Sequence, residues 1–238
     1  MEVHRVQSTH ARQARDLLPP GAISTSAALV VAAADHFRGR WKTPFPAEST
    51  KPGRFERSPS DAVEVPMMHQ AHKPFRSAWL EKVHVVELPY QGDELAMLLV
   101  VPQEGQELAA VEAELSPATL DRWIALLSLD DMDVALPRFE MASGGSLVEG
   151  LRALGMRRAF GCDAELPEVA KPGAFIDVFS HRVHLQVDEA GTKAWGVTWG
   201  RVVKGAARPF RADRPFLFFL REVRSGLLLL MGRVSDPR

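Results

Sequence analysis

The sequence predicts an α+β fold, and three observations carry that expectation. Short β-like segments occupy the stretch from Ala62 to Val101, and strands return in the final third of the chain. Between them lie two helical segments, the second with Leu120, Trp123, Ile124 and Leu127 at i, i+3, i+4 and i+7. Runs of strands interrupted by helices, without strict alternation of the two, define an α+β chain rather than a doubly wound one.

Taken in order, Glu2 to Leu18 is polar and helix-compatible and is stopped by Pro19, Pro20 and Gly21. Thr25 to Phe37, "TSAALVVAAADHF", is a nearly continuous apolar run whose length fits a central strand or a buried helix; strand is preferred, although alanine is a poor strand former. Prolines at 44, 46, 52 and 59 make Trp41 to Pro59 an irregular surface connection. A meander follows: Ala62 to Met68, Val83 to Leu88 and Leu95 to Val101, with Gly92 in the turn before the last. Ser116 caps the second helix and Pro117 fills its first turn. Met132 to Glu140 is extended, and Leu147, Leu151 and Leu154 ahead of Gly155 spell a short helix with a glycine stop. Phe179 to Asp188 is a strand. "RPFLFFLREV" and "GLLLLMGRV" then form a hairpin around Ser225 and Gly226, apolar enough to be buried on both faces.

With 238 residues, 46% of them hydrophobic, the chain can bury a sizeable core. A formal net charge of -1 supplies no electrostatic reason for a nucleic acid or acidic membrane partner. The single cysteine, Cys162, excludes an internal disulfide framework and a multi-thiolate zinc site. No run approaches the roughly 18 apolar residues of a membrane span, and "MEVHRVQSTHARQARDLL" lacks the apolar centre of a signal peptide.

Catalytic and ligand motifs are scarce. His69 and His72 lack a neighbouring thiolate or carboxylate in sequence, and His181 and His184, three apart in a strand, point to opposite faces, so no metal is expected. There is no G-x-S-x-G elbow, no phosphate loop and no dinucleotide fingerprint. The expectation is a protein that is not an enzyme and uses no cofactor. Lys204 to Arg214, with Arg208, Arg211 and Arg214, reads as a solvated basic loop, as a site for an acidic partner, or as bait for a protease that selects basic side chains.

One stretch has a pattern at odds with its setting. In "DEAGTKAWGVTWG", Asp188 to Gly200, the small residues Thr192, Ala194, Gly196 and Thr198 alternate with Lys193, Trp195, Val197 and Trp199. That is the period of a strand inside what reads as an exposed loop.

Several segments together resemble the serpins, inhibitors that trap serine proteases by a conformational change. "FRADRPFLFFL" (Phe210 to Leu220) is similar to the family's C-terminal signature, and "VDEAGTKAWG" (Val187 to Gly196) resembles its loop hinge. "DLLPPGAIS", "FRGRWKTPF", "VEVPMM" and "LPRFEM" match in order and spacing. The resemblance covers essentially the whole chain, which reads as the C-terminal two-thirds of a single family domain (1-238), N-terminally truncated.

The resemblance implies mixed sheets with helices and an exposed reactive-centre loop at 189-209. Its hinge comprises Glu189, Gly191, Thr192, Ala194, Gly196 and Thr198. Thr25 to Asp35 and Val178 to Asp188 are then the main-sheet strands that part to admit the loop, with Met132 to Glu140 the strand beyond. Trp41 matches a tryptophan at the top of that slot and His181 a histidine at its middle, whose usual asparagine partner is here Ala33. Counting back from Pro215 puts the cleaved bond after Lys204, and counting forward from Glu189 puts it after Gly205. The Lys204–Gly205 bond is preferred because a lysine suits a trypsin-like pocket; Arg201 and Arg208 remain open. The implied protein is a monomeric, extracellular inhibitor of a trypsin-like serine protease. The alternative is a non-inhibitory or inactive relative, favoured by Ala33 and by the bulk of Trp195 and Trp199.

Overall fold

The computed structural model describes residues 29–37, 39–161, 163–166, 174–191 and 207–238, with the side chains of 32–36 left aside. The chain divides into two compact units. The N-terminal helix expected over Glu2 to Leu18 lies outside the described residues.

The first unit takes residues 1–37 and 141–185. Its sheet has the order β1-β8-β7, with β1 Leu29–His36, β7 Phe139–Ser146 and β8 Ile176–Val187. β1 and β8 pair in parallel from Leu29↔Ile176 to His36↔His184. From Leu29 to His36 the apolar run therefore forms a strand, the preferred reading, because pairing in the sheet overrides the weak β-propensity of its alanines. A short helix, α3 (Val148–Ala153), follows β7, and Gly155 beyond it takes φ +101°, the left-handed conformation that ends a helix.

The second unit takes residues 38–140 and 186–238. Its eight-stranded sheet has the order β11-β10-β5-β4-β3-β6-β9, with β2 paired to the start of β3. These strands are β2 Lys51–Ser58, β3 Asp61–Trp79, β4 Val83–Pro89, β5 Leu95–Pro102, β6 Ser128–Pro137, β9 Arg208–Arg211, β10 Phe216–Glu222 and β11 Leu228–Val234. One face carries Val83, Val85, Leu98, Val100, Leu217 and Phe219 under the helices α1 (Leu108–Ala113) and α2 (Pro117–Ala125). α2 begins as expected: the Ser116 hydroxyl accepts the Thr119 amide at 3.1 Å, and Leu120, Trp123 and Leu127 are buried.

Four expectations need correction. Lys51–Ser58 is a strand, not irregular chain. Pro52 faces Pro66 across the β2–β3 pair, and two prolines fit there only at a position where neither residue donates to the other. β3 continues far past Met68 to Trp79, crossing an irregularity between Gln70 and Lys73 where His72 sits at φ +51°. Met132 to Glu140 is not one strand: it breaks at Arg138, so that β6 joins the large sheet and β7 the small one.

The fourth correction is β11, which is not buried on both faces. It is a terminal strand with Leu229 48% and Met231 66% exposed. An unbroken apolar run reports that a strand wants cover, not that cover is present.

Candidate functional site

The site is the short turn that follows β8, Asp188 to Gly191, and the residues that hold it. The Asp188 amide donates to the Gly191 oxygen at 3.0 Å and the Gly191 amide donates back to the Asp188 oxygen at 3.2 Å. The Ala190 amide donates to Asp188 Oδ1 at 3.0 Å, which closes the turn with a side-chain acceptor. Gly191 has φ +123°, and a Cβ there would lie 2.4 Å from the Gly39 oxygen and 2.5 Å from the Trp41 nitrogen. Only glycine fits, both for its dihedral and for that close passage of main chain.

Trp41 is the hub. Its ring is 1% exposed, stacks on Tyr90 with centroids 4.6 Å apart, and meets Phe45 edge-on at 6.5 Å. Its amide donates to the Ala190 oxygen at 3.1 Å and its Nε1 to the Asp188 oxygen at 3.0 Å. The Phe45 amide donates to the Glu189 oxygen at 2.9 Å. Aromatic packing thus fixes one wall, and main-chain bonds from that wall fix the turn.

Glu189 is held by its side chain as well. Oε1 accepts the Thr50 hydroxyl at 2.6 Å and is ion-paired to Arg138. Burial works against its ionisation, yet the hydrogen bonds from Arg138 and Thr50 outweigh it and hold the carboxyl below the usual range. Burial pushes the neighbouring Asp188 carboxyl up instead, opposed by the Ala190 amide.

Among the expected site residues, Trp41, Glu189 and Gly191 are brought together at this turn. Ala33 and His181 are direct register partners on β1 and β8. The two strands expected to part are therefore paired with each other. His181 is half-buried. Thr192, Ala194, Gly196, Thr198, Lys204 and Gly205 lie outside the described residues. Thr50, Phe45 and Arg138 were not singled out in the sequence; "LPRFEM" and "WKTPF" contain two of them, but no spacing rule ties either to Glu189. Among the described residues no group of three potential metal ligands is present, although His72 Nδ1 lies 3.2 Å from Asp131 Oδ2 across β3 and β6.

A short sheet thus leads through β8 into an anchored turn. The family model for serpins, serine protease inhibitors, matches residues 4–237, and the chain belongs to this family. Mouse antithrombin-III is 35% identical over 231 residues, covering 94% of this chain and 50% of the relative. Leukocyte elastase inhibitor from Sus scrofa is 34% identical, covering 93% and 62%. The chain spans about half the length of the antithrombins it matches. Among solved structures, uncleaved ovalbumin superposes with a TM-score of 0.83 at 28% identity, covering 94% of this chain and 58% of the other. Human thyroxine-binding globulin does so with a TM-score of 0.81 at 26% identity, covering 90% and 58%. The relatives thus include inhibitors by name and a protein named for binding thyroxine.

Proposed function

We propose that this chain carries the working parts of a suicide-substrate inhibitor of serine proteases, with a trypsin-like target. The observation behind this reading is the parallel β1–β8 ladder, whose second strand runs directly into the turn at Asp188 to Gly191. A chain that turns back from the end of β8 into a gap between these strands runs antiparallel to β8, and hence antiparallel to β1 too. One slanted parallel ladder is exchanged for two antiparallel ones, which are somewhat more stable per residue. Strand addition of this kind stabilises through main-chain hydrogen bonds and selects side chains by alternation. The small set Thr192, Ala194, Gly196 and Thr198 suits the covered face.

In this reading 189-209 is the reactive-centre loop. The protease serine attacks the Lys204 carbonyl, the bond to Gly205 breaks, and an acyl-enzyme ester forms. Insertion then displaces the tethered protease before water hydrolyses the ester. The inhibitor supplies no catalytic group and no cofactor; it supplies a fold held by a kinetic barrier and relaxed by insertion. A monomer working outside the cell fits this role.

The test is to mix the protein with trypsin and separate the products on a denaturing gel. A covalent adduct near the summed mass supports trapping; cleavage without adduct contradicts it. Ala33 at the asparagine position, with Trp195 and Trp199 beside the hinge, favours the second reading of a non-inhibitory relative, which predicts cleavage alone.

A further inference from the structure

Glu87 on β4 is a buried carboxylate shared by two arginines. Its Oε1 lies 3.2 Å from Arg76 on β3, and its Oε2 lies 3.5 Å from Arg221 on β10. Glu87 and Arg221 are both buried, so the cluster holds two positive charges against one negative, largely out of water. Arg221 makes one further bond, to the Val223 oxygen at 3.3 Å, and its buried Nε has no acceptor among the described residues. The excess positive charge therefore reaches solvent only through Arg76, whose side chain is 43% exposed.

Arg76 is braced but not saturated. Nη1 donates to Glu87, and Nη2 donates to the Leu127 oxygen at the end of α2, at 3.4 Å. Roughly three of the five N–H groups of a guanidinium thus remain for an outside acceptor. The register partner of Arg76 on β6 is Leu129, which shares its sheet face and is 70% exposed. Leu126, one residue before the carbonyl that Arg76 reaches, is 54% exposed. The next carboxylate along that face of β6, Asp131, is engaged by His72 at 3.2 Å. An open cation is thus set among open leucines, and its one carboxylate partner among the described residues is shared with a second arginine.

We propose that Arg76, Leu126 and Leu129 form a docking surface for a protein partner whose chain ends in an apolar residue. The terminal carboxylate sits on Arg76, and the last side chain lies across the leucines. Charge complementarity argues for the carboxylate: a planar guanidinium grips one with a two-pronged fork, and the pair behind it leaves a positive charge to be balanced. Size argues for a peptide end over a lipid. Neighbouring strands are only about 4.8 Å apart, so Arg76 and Leu129 together span about one residue, and a long acyl chain would leave most of its length in water. The proposal does not depend on loop cleavage or insertion.

The test titrates the full chain with acetyl-Gly-Ser-Gly-Leu and follows the main-chain NMR signals of Ser128 to Asp131. Shifts with the free acid, and none with the C-terminal amide at the same concentration, are expected. Arg76→Gln is expected to weaken binding about ten-fold, while Arg54→Gln on β2 leaves it unchanged. Leu126→Ser with Leu129→Ser is also expected to weaken it about ten-fold, and because both leucines are exposed this variant keeps the fold. Equal shifts with acid and amide overturn the surface, as does full binding by Arg76→Gln or by the leucine pair. Decanoate that moves the same signals and binds more tightly than the peptide overturns a protein partner in favour of a lipid.

Discussion

Trp41 Nε1 donates to the main-chain oxygen of Asp188 at 3.0 Å, across 147 residues of sequence. This bond joins the buried aromatic cluster to the turn after β8, and the Trp41 and Phe45 amides bind the turn from the same wall. Replacing Trp41 with Phe keeps much of the stacking on Tyr90 and deletes the donor. A loss of about 1 kcal/mol is expected, a fall in Tm of roughly 2–4 °C for a chain of this size. Trp41→Ala also removes the packing and costs roughly 3–5 kcal/mol. Thermal melts of both variants separate the hydrogen bond from the packing.

Gly191→Ala meets main chain at 2.4–2.5 Å and a φ of +123° together. A cost of about 3 kcal/mol or more is expected, since the Gly39 and Trp41 backbones have nowhere to move without breaking the turn. Urea unfolding checks it. A near-neutral result shows that the turn is not fixed at Gly191.

The Glu189–Arg138 pair gives a pH dependence with a definite sign. The Glu189 pKa is depressed in the fold, so its contribution is present above the ordinary value of 4.5 and is lost as pH falls through the folded value. Asp188 is raised above its ordinary 3.8, so its contribution is present below 3.8 and lost as pH rises through its folded value. Glu189→Gln therefore abolishes the acid-side loss and Asp188→Asn the opposing one. Because Arg138 is 46% exposed, solvent screening keeps the pair to about 1 kcal/mol. Stability curves between pH 3 and 6 for the two variants distinguish these slopes.

Leu229 and Met231 on β11 are predominantly open to solvent. Leu229→Lys with Met231→Lys is expected to change stability by less than about 0.5 kcal/mol per site while lowering dye binding and aggregation. A large loss of stability places both side chains in contact with something that covers them.

How much of this was legible in the sequence differs by residue. α2 was, because Ser116, Pro117 and the spaced Leu120 and Trp123 are local signals whose meaning does not depend on the rest of the fold. β2 was not, because Pro52 argues against a strand unless its partner position is known to be Pro66. Trp41, Glu189 and Gly191 were identified by resemblance, while Thr50 and Arg138 were missed. Their role depends on which carboxylate they meet 139 and 51 residues away, and no periodicity encodes that. The exposure of β11 was illegible for the same reason: cover is a property of neighbours.

On the proposed reading, the chain after Gly191 enters the β1–β8 ladder once it is cut. The most direct measurement is the melting temperature before and after limited cleavage of the loop by trypsin, with the two fragments kept together. Insertion adds two antiparallel ladders in place of one parallel ladder. The cut protein is therefore expected to melt well above the intact one, by about 10 °C or more on the scale of several kcal/mol gained. A cut protein that melts at the same temperature, or lower, contradicts insertion.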